Sequence, residues 1–296
     1  MSTQASTAPA VAEPVATAES SARRTWREFR RNPLGLPAVV IVAVLVLVGL
    51  CAPLITAAPA GYGPDVLQAP SAAHWFGTDN LGRDIFAEVV WGTRASMLVA
   101  VCSSALAIAL GVLVAVLGAY FRSLDTAIGT LVDLMLSLPV LPLMILIAAL
   151  AGPSLPVTVA VIAAFSWPEV TRVVRSAALS VVGLPYMDAA RVIGGGHAWI
   201  IRKHLLPAVA PVIVVSVVLT ASRAVLSAAG LAFLGLSDPR SWSWGRILYE
   251  AQQSGAMSSA WWTTLFPSIA ILALVVSATL MSIAYNDARN PRNHRR

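Results

Sequence analysis

Pro185-Tyr186-Met187-Asp188-Ala189-Ala190-Arg191-Val192-Ile193-Gly194, closed further on by His204-Leu205-Leu206-Pro207, lies between two long apolar runs. Its pattern is that of a short polar helix. Proline suits the first helical position, where its missing N–H would have no partner. Asp188 falls in the first turn, where a carboxylate favours the positive end of the helix dipole. Asp188 and Arg191, three apart, can pair on one face. Gly194 can take the left-handed conformation that stops a helix. Ala189 and Ala190 have little side-chain volume, so another surface can come close. Such a helix, held outside the apolar runs, can dock on something soluble. It would separate a membrane protein that works alone from one moved by a partner. A plain amphipathic connector has the same local pattern, and this stretch leaves both readings open.

The apolar runs fix the class. Of 296 residues, 57% are hydrophobic and 11% charged, with mean hydropathy +0.77. A soluble domain carries roughly 25% charged residues. Six runs approach the ~20 residues a bilayer requires: about 36–55, 96–119, 127–150, 155–171, 208–230 and 265–285. They predict an all-α polytopic membrane protein of about six transmembrane helices. Fifteen of the 20 basic residues gather before the first run, at Arg122, in the 172–207 loop and at the C-terminus. Positive residues mark the cytoplasmic side, so both termini and that loop are expected there. The net charge of +6 is therefore read as topology and not as a nucleic-acid face. Residues 1–22 read as a disordered cytoplasmic tail, 23–290 as the transmembrane domain and 291–296 as a basic cytoplasmic tail. Basic residues, an apolar run and Ala58-Pro59-Ala60 imitate a secretory signal. The run Leu36–Ile55 is long enough to span, so an uncleaved anchor is expected. Cys51 and Cys102 sit in apolar runs and read as small hydrophobes.

Other features carry narrower expectations. Trp75, Trp91, Trp242, Trp244, Trp261 and Trp262 fall in or beside the outer loops and are expected to anchor the outer membrane boundary. Ala107, Gly111 and Ala115 recur every fourth position, which suits close helix packing. Pro139 and Pro142 interrupt the third run, with Asp133 before them. A kinked span lining a pathway and an architectural kink near the cytoplasmic boundary both fit. Arg223 lies within the fifth run and is expected to face protein or water. His197–Leu206 alternates apolar and basic residues, as an interfacial segment does. The only lysine, Lys203, is followed by His204, so no phosphate-cradling loop is visible. His74, His197, His204 and His294 are dispersed, and no Cys/His cluster has metal-ligand spacing. Neither a Ser/His/Asp set nor a convincing inverted repeat stands out, which weighs against a membrane enzyme and a self-contained ion-coupled transporter.

Asp188-Ala189-Ala190-Arg191, Gly194 and His204-Leu205-Leu206-Pro207 together resemble the "EAA" coupling loop of bacterial ABC importer permeases. More of the chain resembles the "C"-type permease subunit of the branch that imports dipeptides, oligopeptides and nickel. The matching stretches run in order over about 24–290. They are Arg30-Arg31-Asn32-Pro33, Ala52-Pro53-Leu54-Ile55, the run His74–Asp84, Trp91–Ser96, Trp167-Pro168 with Arg172 and Arg175, Phe233–Leu236 and Ser243-Trp244-Gly245. Two departures stand out. Asp188 replaces the usual Glu, and Ala228 and Ala232 stand where the family usually has Glu and Ser.

The resemblance implies a type I ABC importer permease fold with a cytoplasmic coupling helix, and a non-enzymatic transport subunit in the cytoplasmic (inner) membrane of a bacterium. Asp188, Ala189, Ala190, Arg191, Gly194, His204 and Pro207 would couple to the ATPases; the candidates for the pathway, Asp133 and Arg223, come from the reading of the residues above and not from the resemblance. The chain would bind no cofactor or metal itself. ATP and Mg would be used by two cytosolic ATPase domains. A homologous second permease and an extracytoplasmic substrate-binding protein would complete the assembly. Peptide is the expected cargo, with nickel or another small solute as the alternative.

Overall fold

The computed structural model describes residues 21–59 and 61–289, and its regular elements are all helical. The tails at 1–20 and 290–296, with Ala60 of the signal-like motif, lie outside the described residues. Ser21 and Ala22, expected in the tail, begin a helix.

In chain order the helices are α1 (Ser21–Arg31), α2 (Gly35–Ile55), α3 (Ile85–Tyr120), α4 (Arg122–Ser137), α5 (Val140–Ala151), α6 (Leu155–Val182), α7 (Pro185–Val192), α8 (His197–Ile200), α9 (Leu206–Phe233), α10 (Trp244–Gln253), α11 (Ala256–Ser259) and α12 (Trp262–Arg289). A π-helical turn, Ile201–Leu205, joins α8 to α9. Among the described residues, five continuous helical stretches are long and apolar enough to cross a membrane: α2, α3, α6, α8–α9 and α12.

The sixth crossing is broken. α4 and α5 meet at 81° around Leu138 and Pro139. The proline kink expected in the third run is thus a break, sharper than a bend. Pro139 cannot donate to the ladder and drives its neighbour to extended geometry, as Leu138 shows at φ −74°, ψ 145°. Pro142 lies in the first turn of α5, where a proline costs no hydrogen bond. α3 ends beside α7, whereas Leu155 packs with Val99 and Leu231 at the other end of the bundle. The pair therefore crosses once.

Two further boundaries differ from the sequence reading. α6 continues to Val182, so Arg172 and Arg175 belong to the helix and not to the loop. His197–Leu206 is the root of the fifth crossing and not a separate interfacial segment. The segment outside the long helices shrinks from 172–207 to 183–196.

The centre of the bundle is the contact of α3 with α6. Ala107, Gly111 and Ala115 are buried, as their spacing predicts. A Cβ at Gly111 would stand 2.7 Å from the Val170 side chain and 3.0 Å from the Trp167 carbonyl. The approach lets Thr171 donate its hydroxyl to the Gly111 carbonyl at 3.1 Å. Large apolar residues such as Leu47, Leu50, Leu113 and Leu150 face outward, where lipid would cover them.

Opposite α7 the loops form a folded cap. Asp84 caps α3 by accepting from Phe86 N at 2.8 Å and pairs with His74 Nδ1 at 3.0 Å. Trp244 is fully buried and donates to the Val89 carbonyl at 3.1 Å; Trp262 donates to the Thr78 carbonyl at 3.0 Å. These two indoles are core residues of the cap, not the boundary anchors expected. Trp75 and Trp261 are exposed.

Gly111→Leu is expected to destabilise the purified protein by about 1–3 kcal/mol through overpacking. Leu113→Ala, on the outer face of the same helix, is expected to change far less. Thermal unfolding in detergent, followed by tryptophan fluorescence, compares the two.

Candidate functional site

α7 is built as its sequence suggests. Pro185 opens it, and Asp188 Oδ1 accepts from Arg191 at 2.7 Å. Gly194 has φ +88°. Gly194 N donates to the Arg191 carbonyl and Gly195 N to the Ala190 carbonyl, both at 3.0 Å. This is the paired hydrogen-bond stop that a left-handed glycine permits.

One face of α7 belongs to the core. Met187 is fully buried and Ala190 is 4% exposed. They pack in one cluster with Ala119 and Tyr120 of α3, Val174 and Ala178 of α6, and Ile200 and Leu205 below α9. Ala190 is therefore not part of an open docking face, as its small size suggested; a small residue is needed there for packing inward. Ala189 is exposed. Beside it Val192 is 86% exposed and Ile193 78%, with Tyr186 also exposed. The outward face of α7 is apolar at its C-terminal end.

Polar contacts fix the helix in place. The Arg191 guanidinium lies 5.5 Å from the Tyr120 ring centre, and the Tyr120 hydroxyl meets His197 Nδ1 at 3.0 Å. One tyrosine at the end of α3 thus touches both α7 and the root of the fifth crossing. His204 sits within the root, edge-on to Trp199 at 4.9 Å and 6.2 Å from the Tyr186 ring. Pro207 is exposed on the first turn of α9 and borders an apolar groove with Trp26 and Phe29. His204 thus faces the Tyr186 ring of α7 and Pro207 faces the groove beside α1, and neither continues the outer face of α7.

Three ion pairs tie α6 to its neighbours. Arg175 Nε donates to Asp125 Oδ1 at 2.9 Å. Arg172 pairs with Asp133, both largely exposed. Arg223 of α9 pairs with Glu169. Asp133 and Arg223, grouped by the sequence reading, are not brought together; each has its own partner on α6. Glu169 was not foreseen, although it is the only acidic residue of α6.

The cap holds a charge cluster that the sequence did not announce. Arg83 Nε donates to Asp79 Oδ2 at 2.7 Å and lies 3.1 Å from Glu88 Oε1; its Nη2 reaches Glu250. Arg246 Nε donates to the other Glu250 oxygen at 2.8 Å, and Arg83 and Arg246 both lie against the Trp242 ring. The Asp79, Glu88 and Glu250 carboxylates come within 4.8 Å of one another, and Arg83 supplies the positive charge among them. Burial opposes the Arg83 charge, but Glu88, Asp79 and Glu250 outweigh it and hold its pKa above the ordinary guanidinium value.

Residues 107–290 match the family described as binding-protein-dependent transport system inner membrane component, and residues 20–72 match the N-terminal transmembrane domain of oligopeptide transport permease C. The chain belongs to this permease family. It is 35% identical to the dipeptide transport system permease protein DppC of Alkalihalophilus pseudofirmus, over 93% of this chain and 91% of that protein. It is 35% identical to a probable peptide ABC transporter permease of Sinorhizobium fredii, over 91% and 93%. A chain of the inward-facing MetNI methionine ABC transporter shares the fold, with a TM-score of 0.54 and 21% identity over 71% of this chain and 97% of that one. The protein is a multi-pass membrane permease.

Ala190→Trp is expected to lower thermal stability by more than 2 kcal/mol or expose α7 to protease, because no space exists beneath it. Ala189→Trp should leave both unchanged. Limited proteolysis of the purified permease checks the contrast.

Proposed function

We propose that this chain is one of two permease subunits of an ATP-driven peptide importer in the bacterial inner membrane. The termini and α7 face the cytoplasm. α7 docks on a cytosolic ATPase, which supplies the ATP and Mg chemistry. An extracytoplasmic binding protein delivers cargo to the cap side, and a homologous second permease completes the pathway. Asp188, Ala189, Arg191 and Gly194 shape the docking helix, with Ala190 on its inner face and His204 and Pro207 at the root and first turn of the fifth crossing.

The observation that carries this reading is the outward face of α7. Val192 and Ile193 are almost fully exposed at the end of a helix whose other face is locked into the core. An apolar tip presented on a rigid base fits a partner groove. The positive residues on that side support its cytoplasmic placement. Peptide cargo rests on the relatives named for dipeptide and peptide transport.

The test is reconstitution of the complete transporter with Val192→Asp/Ile193→Asp. Two buried-on-docking charges are expected to reduce peptide-stimulated ATP hydrolysis more than about tenfold. The ATPase subunits should no longer co-purify, while the second permease should. Full stimulated activity would remove α7 from the coupling path.

A further inference from the structure

The Arg223–Glu169 pair stands near the middle of α6 and well inside α9, two of the helices long and apolar enough to cross a membrane. Yet both side chains are about half exposed, 56% and 47%. Charges within such helices do not face hydrocarbon, so this face meets water or protein. The pair heads a groove of about 410 Å³ between α6, α9 and α12, within the ~300–1,000 Å³ range of small-molecule sites. Ser216, Thr220, Asn286 and Arg289 continue it with polar groups toward the α7 end. A seam between membrane helices is typically made of small residues in close approach. This groove is mixed instead: valines, Pro211 and Leu219 supply most of its wall, and the ion pair, Ser216, Thr220 and Asn286 add a polar strip to it.

We propose that Arg223 and Glu169 form a transit subsite for a zwitterion, the free carboxylate and ammonium ends of a short peptide. The inference rests on the peptide-importer reading and specifies where that cargo is handled. The pair is neutral overall. A lone anion would take Arg223 but leave Glu169 without a counter-charge, and a lone cation would do the reverse. A zwitterion re-pairs both at once. The planar guanidinium matches a carboxylate in a two-pronged contact, and Glu169 accepts from the ammonium. Because the protein's own ion pair must open as the ligand's two contacts form, the gain is small. Binding is weak and reversible, as passage requires.

The test uses the complete transporter in nanodiscs, with Cys51→Ala/Cys102→Ala as parent. Leu219, which borders the groove one turn from Arg223, is replaced by Cys and modified with a charged methanethiosulfonate reagent. Labelling is expected, and dialanine at about 1 mM should slow it about twofold, the half-occupancy of a site with Kd about 1 mM. N-acetyl-dialanine amide should not slow it. Adding Arg223→Gln should remove the protection without reducing the amount of assembled complex. Absence of labelling would show the groove covered by the second permease or lipid and would overturn the subsite. So would equal protection by both compounds, protection by neither, or loss of assembly in Arg223→Gln. Dialanine uptake by the parent, measured separately, tests the peptide reading: no uptake would sink that reading, while the labelling result still judges the subsite.

Discussion

The close approach of α3 to α6 at Gly111 holds the centre of the bundle, and much of the molecule depends on it. With no Cβ there, α3 meets α6 at backbone distance and Thr171 closes a hydrogen bond across the contact. A hydroxyl donating to a helix carbonyl replaces water that a membrane interior lacks. The two helices run on together to the α7 end. There Ala115, Ala119 and Tyr120 from α3 and Val174 and Ala178 from α6 form the bed on which Met187 and Ala190 lie. A shift at Gly111 would displace the seat of α7 several turns away.

This continuity gives the proposed coupling a physical form. Force applied to Val192 and Ile193 reaches α3 through Arg191 and Tyr120, α6 through the buried alanines, and α9 through His197 and the π-helical turn. α6 in turn holds α4 through Arg172 and Arg175 and α9 through Glu169. At the other end the cap cluster around Arg83 ties the start of α3 to α10 through Glu88 and Glu250. The helices that would open and close a pathway are thus bound to α7 by packing, and to one another by ion pairs.

What the sequence revealed followed from local chemistry. Hydropathy located six crossings, Gly194 announced the end of α7, and the Ala107–Gly111–Ala115 spacing announced the α3–α6 contact. The misses came where tertiary partners decide. Ala190 and Ala189 are identical in sequence, and only packing turns one inward. Trp244 and Trp262 looked like membrane anchors because nothing local reveals the Val89 and Thr78 carbonyls that receive them. Glu169 escaped notice because its partner lies on another helix. Its signal was the coincidence of the one acid of α6 with the single charged residue of α9. The α6 boundary was misjudged because Arg172 and Arg175 look like loop residues until Asp133 and Asp125 neutralise them.

The central claim is that α7 and the α3–α6 core move as one body. Double electron–electron resonance on the complete transporter measures this directly, with spin labels at Leu184, the exposed residue that opens α7 away from its docking tip, and at Leu113 on the outer face of α3. The Leu184–Leu113 distance should stay constant between the nucleotide-free and ATP-trapped states, while the distance from Leu184 to a label on the second permease changes. A Leu184–Leu113 distance that changes with nucleotide would contradict the account, because α7 would then move apart from the core that is held to transmit its motion.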